Sequence, residues 1–129
     1  MASAFLDREF GLIRSDVAAL LASSPALLGT ANPTSERGVY MFWKDDEIKY
    51  VGEAKGSKGL RDRFSKHISG DDGHAIQRAL ESEFPNRLLR RKHMRETISA
   101  RWLAIPDDGR ISTVERLLIW LYAPPWNRK

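Results

Sequence analysis

The sequence predicts an α+β fold in which helices cover both faces of one small β-sheet. Amphipathic segments and short β-branched or aromatic runs follow one another in the order helix, strand, strand, helices, strand, helix. The hairpin predicted within residues 39–51 is largely apolar on both faces, and such a sheet needs helices on both sides. With 129 residues and 42% hydrophobic content, the chain is long enough for one domain with a modest core.

The first segment has the periodicity of an amphipathic helix. Apolar residues recur every three or four positions from about Ser3 to Ala22. Residues 23–37 are rich in Ser, Pro, Gly, Thr and Asn, which is typical of a loop or linker. We therefore expect an N-terminal helical extension over residues 1–30 and the main domain over residues 31–129. The extension would pack on the core or form a homodimer or partner contact.

The two apolar runs around the acidic segment DDE predict a β-hairpin. A two-residue turn would put Tyr40 and Tyr50 on opposite faces, whereas a three-residue loop through residues 45–47 shifts the register by one and puts them on the same face. We expect the three-residue loop, because it separates the apolar side chains into two faces: Tyr40, Phe42, Ile48 and Tyr50 on one, and Val39, Met41, Trp43 and Val51 on the other.

The remaining elements follow from periodicity and from breaker residues. The glycine-rich turn at residues 52–59 lacks the Gly-Lys-Ser/Thr order of a phosphate-binding P-loop. After it we expect a helix with the apolar stripe Leu60, Phe64 and Ile68, followed by a short helix over residues 74–83 and a helix over residues 86–96. A strand over residues 97–105 and a turn at residues 107–110 come next. The final helix is expected over residues 112–122 and ends before two prolines.

Composition narrows the possible partners and cofactors. The chain has 21 Lys and Arg against 17 Asp and Glu, and its pI of about 9.6 is typical of domains that meet polyanions. It has no cysteine, which excludes disulfides and thiolate zinc sites and favours a reducing cytoplasm. The three histidines lack metal-ligand spacing, and no apolar run reaches the length of a membrane span.

Five short motifs occur in one order between residues 38 and 127. They are GVY, then YVG with its tyrosine ten residues after the first, LRDRFSKH, TVERLL and PPWN. Each tripeptide alone is common in strands, but the ordered set resembles the GIY-YIG nuclease superfamily. The resemblance implies a central sheet of three antiparallel strands flanked by helices, here with an extra N-terminal helix, and a single-domain endonuclease that cleaves DNA, with RNA as the alternative substrate.

The resemblance also implies which residues form the site. In the superfamily two strand tyrosines, with an arginine and a histidine from the next helix, line one site, a glutamate binds the metal, and an asparagine supports the site. Glu115 is thereby the expected ligand of Mg²⁺ or Mn²⁺. The matching residues in this sequence are Tyr40, Tyr50, Arg63, His67, Glu115 and Asn127.

These residue types suit phosphodiester hydrolysis, which needs an activated water, stabilisation of extra negative charge and help for the leaving oxygen. Arg63 offers a forked, permanent cation to the non-bridging oxygens. Tyr40 could accept or relay a proton while Tyr50 orients water or phosphate. His67, four residues after Arg63 on one helical face, is a candidate proton relay. One carboxylate can suffice for Mg²⁺, since the ion keeps several waters.

Ordinary structural roles compete with these assignments. Tyrosines are common on half-buried strands, and arginine and histidine are common on solvated helix faces. Asn127, after two prolines, suits a turn. Glu115 also completes the capping box Ser112-Thr113-Val114-Glu115, in which its side chain would reach back to the Ser112 amide.

One residue departs from the pattern of the superfamily. Glu53 stands where several relatives carry lysine, and a second carboxylate would either repel the phosphate or help to hold the metal. We expect Lys55 or Lys58 to take over the role of that lysine.

A basic segment predicts the substrate-binding surface. Arg87, Arg90, Arg91 and Arg95 spread over one arc of a helical wheel, beside two leucines, which suits phosphate contacts or solvated surface charge. Two other functions fit the sequence: a module that binds nucleic acid without cutting it, and a subunit whose N-terminal helix recruits a partner.

Overall fold

The computed structural model describes residues 2–69 and 75–127. In chain order the elements are helix α1 (Ala2–Ala22), strands β1 (Ala26–Leu27), β2 (Gly38–Lys44) and β3 (Glu47–Ala54), helices α2 (Gly59–Ser69), α3 (Ala75–Glu81) and α4 (Arg87–Thr97), strand β4 (Ser99–Ala104), helix α5 (Asp108–Tyr122), and a final 3-10 turn (Pro125–Asn127).

The sheet confirms the predicted α+β class and contains one more strand than expected. Its order is β1-β4-β2-β3, and every neighbouring pair is antiparallel. The added strand, β1, lies in the stretch predicted as a loop and pairs Ala26 with Ala100 and Leu27 with Ser99. A two-residue strand is too short to leave an alternating pattern in the sequence.

The hairpin turn differs from the prediction, yet the two tyrosines share a face. Asp45 and Asp46 both have positive φ, 55° and 61°, and form a two-residue turn, so the predicted three-residue loop is wrong. The register shifts farther along, because Phe42 pairs with Tyr50 while Trp43 pairs with Ile48. The extra residue in β3 forms a β-bulge, which restores the predicted face for Tyr50 and moves Ile48 to the opposite one.

Helices cover both faces of the sheet, as predicted. On one face Tyr40 and Phe42 pack with apolar residues of α2, α3 and α4. On the other face Val39, Met41 and Val51 pack with α1 and α5. The inner side of α1 joins this second core through Leu20, which is fully buried. Phe5 and Phe10 at the start of α1 are 54% and 62% exposed, and the predicted dimer or partner contact there stays a prediction.

Helix α5 begins four residues earlier than predicted. Asp107 is its N-cap and accepts a hydrogen bond from the Arg110 amide at 2.9 Å, so residues 107–110 are a cap and first turn rather than a separate turn. Ser112 therefore lies inside the helix. The capping-box role considered for Glu115 is excluded, because the helix start is already capped by another residue.

The other helices lie close to their predicted ranges. Helix α3 ends at Glu81, and its predicted first residue, His74, lies outside the described residues. Helix α4 is capped by Asn86, whose side chain accepts from the Leu89 amide at 3.0 Å. Across the described part of the chain, no helix combines the length and the apolar character that crossing a membrane requires.

Candidate active site

Tyr40 lies at the centre of the candidate site. Its side chain is fully buried among aromatic rings, and its hydroxyl lies 2.6 Å from Nε2 of His67, which is 2% exposed. Burial, followed by the neighbouring Tyr50, raises the pKa of Tyr40, so its hydroxyl is protonated near neutral pH. The direction of this hydrogen bond depends on the tautomer of His67: the Tyr40 hydroxyl donates to Nε2 when His67 is neutral with its proton on Nδ1. The pair is thus prepared for transfer of a proton between the two side chains.

Gly52 of the YVG motif makes room for the Tyr40 ring. The two residues pair directly across β2 and β3. A Cβ atom at position 52 would overlap with the Cζ atom and the hydroxyl of Tyr40. The glycine of the second tripeptide is therefore required by the tyrosine of the first, which physically links the two motifs.

Arg63 and Tyr50 lie beside this pair. Arg63 is half-buried on α2, one turn before His67, and its positive charge acts on both tyrosines. Burial raises the pKa of Tyr50, and the Arg63 charge opposes that rise. The Arg63 Nε atom is buried and has no hydrogen-bond partner among the described residues. One donor of the guanidinium is therefore unused within the described residues.

Glu115 supplies the carboxylate of the site from α5. Burial, followed by the negative charge of Glu53, raises its pKa from 4.5 to about 7, against the opposing effect of Lys55. Within residues 2–69 and 75–127, the Glu115 carboxylate has no hydrogen-bond or ion-pair partner. Its charge also raises the pKa of Tyr40 and Tyr50, so these groups share one electrostatic environment.

The donor set fits a largely hydrated divalent cation. No group of three or more His, Cys, Asp or Glu with metal-binding geometry occurs in the described part of the chain. Mg²⁺ is usually held by one or two carboxylates together with waters and phosphate oxygens. A partly buried carboxylate without a partner, as at Glu115, is the kind of ligand that such an ion requires.

Glu53 is held with Lys55 and Ser112 in a network that the sequence did not reveal. Lys55 Nζ donates to Ser112 Oγ at 2.6 Å, and Ser112 Oγ donates to Glu53 Oε2 at 3.2 Å. Lys55 also forms an ion pair with Glu53 at 3.4 Å. Ser112 joins the site region because α5 starts early and brings it one turn before Glu115. Lys58 is exposed, and no described residue forms a hydrogen bond or ion pair with it.

Asn127 holds the backbone of β3 beside the candidate site. Its Oδ1 accepts from the Val51 amide at 2.9 Å, and its Nδ2 donates to the Val51 carbonyl at 2.8 Å. The side chain thus pairs with the strand as another strand would. Val51 lies between Tyr50 and Gly52, so this contact stabilises the part of the strand that borders the Tyr40 ring.

The arginines of α4 do not form one exposed surface. Arg87 and Arg95 are exposed, and Arg91 is half-buried and donates to the Ser69 carbonyl at 2.8 Å. Arg90 is only 1% exposed and donates to Gln77 inside the protein, so the prediction that it contacts phosphate is wrong. A helical wheel could not reveal this, because it depends on a polar partner from another helix.

The sheet order, the helices on both faces and the position of the tyrosines define a GIY-YIG-like fold. Similar crystal structures come from the GIY-YIG N-terminal endonuclease domain of UvrC from Thermotoga maritima. A tyrosine-to-phenylalanine point mutant bound to its catalytic divalent cation has a TM-score of 0.51 at 19% identity, over 79% of this chain and 91% of that chain. The magnesium-bound domain has a TM-score of 0.50 at 17% identity, over 88% of this chain and 97% of that chain. No protein-family model and no curated protein matches the chain.

Proposed function

We propose that this protein is a metal-dependent endonuclease that hydrolyses phosphodiester bonds in DNA. One observation carries the proposal: Tyr40, hydrogen-bonded to His67, lies where the charges of Arg63 and Glu115 both act on its hydroxyl, and the Glu115 carboxylate has no partner among the described residues. This combination offers the three functions that phosphodiester hydrolysis needs. The UvrC domains of similar fold are endonuclease domains with a catalytic divalent cation, which supports the same reaction class here.

The proton pathway follows from the hydrogen bond between Tyr40 and His67. When the attacking water loses its proton to the Tyr40 oxygen, the Tyr40 proton moves to Nε2 of His67. The two transfers leave Tyr40 neutral, which suits a hydroxyl whose burial disfavours the phenolate.

The remaining residues handle charge and orientation. Arg63 donates to the non-bridging oxygens as negative charge increases on them, and Tyr50 orients the water or the phosphate. Glu115 would hold Mg²⁺ or Mn²⁺, which when bound supplies positive charge to the phosphate and the leaving oxygen. Lys55, Lys58 and the exposed arginines of α4 would contact the DNA backbone.

Replacement of Glu115 by glutamine tests the proposal directly. Glutamine keeps the size of the side chain but lacks the charge that binds a hard divalent cation, so cleavage should fall by about 10² or more. The melting temperature should stay the same or rise, because the variant loses a carboxylate that is buried near Glu53. The measurements are thermal melting and Mg²⁺- or Mn²⁺-dependent cleavage of plasmid, single-stranded and branched DNA, with RNA in parallel.

Glu47→Gln is the matched control. Glu47 is exposed at the hairpin end and pairs with Lys49 at 3.0 Å, so its loss should change neither the fold nor cleavage. Equal cleavage by Glu115→Gln and the parent would refute the metal site. Absence of divalent-dependent cleavage by the parent would refute the nuclease proposal and favour a module that binds nucleic acid without cutting.

A further inference from the structure

Gln77 holds the end of the helix that carries His67. Its side chain is fully buried, and its Nε2 donates to the His67 carbonyl at 2.9 Å and to the Ile68 carbonyl at 3.1 Å. These carbonyls belong to the last turn of α2, where no helical amide can reach them. Helix α3 thereby supplies, through one amide group, hydrogen bonds that α2 cannot make for itself.

Arg90 determines which way the Gln77 amide points. Its Nε donates to Gln77 Oε1 at 2.5 Å, and its Nη1 donates to the Phe84 and Pro85 carbonyls at 2.9 and 3.3 Å. A guanidinium can only donate, so the amide oxygen must face Arg90 and the amide nitrogen must face α2. The donors of Arg90 therefore fix the orientation of the Gln77 amide, although the shape of the amide group alone would also allow the flipped orientation.

These contacts connect three helices to one catalytic candidate. Among the contacts that the described residues make with His67, Gln77 holds its carbonyl and the Tyr40 hydroxyl lies 2.6 Å from its Nε2. Without the first contact, the last turn of α2 can unwind, and the imidazole can leave the short hydrogen bond. Burying a guanidinium is costly unless its donors are satisfied, so the pairing with Gln77 also makes the buried Arg90 tolerable.

We infer that Gln77 and Arg90 are positioning residues for His67, and that Arg90 acts on the reaction through Gln77 rather than by contacting DNA. The inference rests on the proposed function for its effect on cleavage. The inference also states that Gln77 and Arg90 keep His67 hydrogen-bonded to Tyr40. This part can be measured without any substrate.

The test compares a double variant with the parent and with a control variant that breaks a polar pair elsewhere in the fold. Gln77→Met/Arg90→Met replaces both polar partners by flexible apolar side chains, which a packed interior accepts far better than one unpaired partner. Gln77→Glu is the second variant, because it keeps the size and a partner for Arg90 while its carboxylate cannot donate to the carbonyls. The control is Arg110→Met, which breaks a partly buried ion pair away from α2. This pair joins Arg110 of α5 to Asp16 of α1 at 2.7 Å.

Two readouts separate positioning from general stability. The ring nitrogen signals of His67, assigned with His67→Asn in spectra of ¹⁵N-histidine-labelled protein, should move in both Gln77 variants and stay in place in Arg110→Met. The kcat for DNA cleavage should fall at least about tenfold with KM unchanged, because displacement of a catalytic group lowers kcat without touching the binding surface.

Unchanged His67 signals in a folded Gln77 variant would overturn the inference, and so would a fall in kcat that Arg110→Met reproduces. A parent that cleaves no substrate contradicts the proposed function alone. In that case the spectra alone test the positioning role. Shifted His67 signals in the Gln77 variants support it, and unchanged signals overturn it.

Discussion

The ionisation of Glu115 links the candidate site to the stability of the protein. Burial and the charge of Glu53 raise its pKa from 4.5 to about 7, so the folded state holds this proton more tightly than the unfolded chain does. Between these two values the unfolded chain binds fewer protons, and the free energy of unfolding must fall as pH rises. The stabilising contribution is complete below about pH 4.5 and is lost as pH rises through about 7.

Urea unfolding from pH 5 to pH 8.5, without divalent ions, tests this linkage. The difference in unfolding free energy between the parent and Glu115→Gln should change in favour of the variant as pH rises, because glutamine does not titrate. Glu47→Gln, at an exposed position, should follow the parent at every pH. A constant difference between the parent and Glu115→Gln would mean that Glu115 titrates alike in both states.

The hairpin β2–β3 combines three local features that together build the site. A two-residue turn reverses the chain, a bulge turns Tyr50 toward Tyr40, and Gly52 leaves space for the Tyr40 ring. Asn127 then holds β3 from the C-terminal turn. The geometry of the candidate site thus depends on irregular features at defined positions as much as on regular pairing.

Gly52→Ala should damage the site through the Tyr40 ring. The added methyl overlaps with that ring, and overpacking of this kind typically costs about 1–3 kcal/mol. Cleavage should fall further than stability alone explains, since the Tyr40 hydroxyl must leave His67. The control is Gly11→Ala, where a Cβ meets nothing within 4 Å in the middle of α1 and where alanine should add up to about 1 kcal/mol. The measurements are urea unfolding and cleavage at a temperature at which all variants are folded. A fully active Gly52→Ala would contradict the role of this contact.

The two helical layers of the molecule differ in their role. Helices α2, α3 and α4 cover the sheet face that carries Tyr40, and they hold His67 and the exposed Arg87 and Arg95. Helices α1 and α5 cover the other face, and α5 also brings Glu115 to the site. We therefore expect DNA to approach along the first layer.

Salt dependence of DNA binding tests that arrangement. Replacement of Arg87 and Arg95 by glutamine should lower the slope of log affinity against log salt by roughly one for each phosphate that is no longer neutralised, for all sequences alike. Arg8→Gln/Arg14→Gln removes the same charge from exposed positions of α1 and should leave most of the slope intact. Binding by fluorescence anisotropy at several salt concentrations, with Mg²⁺ omitted, measures both. Equal slopes for the two double variants would show that general charge, and not α4, attracts the DNA.

Sequence alone determined the fold class and most helix positions, and it singled out Tyr50, Arg63 and His67, which lie beside Tyr40 in the structure. Periodicity reports which side of an element is apolar, and the ordered motifs placed Arg63, His67 and Glu115 on the correct elements. Only the tertiary structure decided the bulge that unites the two tyrosines, the early start of α5 and the burial of Arg90. Each of these depends on a partner far along the chain or on a single inserted residue. Such contacts are formed by packing, and a pattern that is read along one segment carries no information about the side chain that will face it.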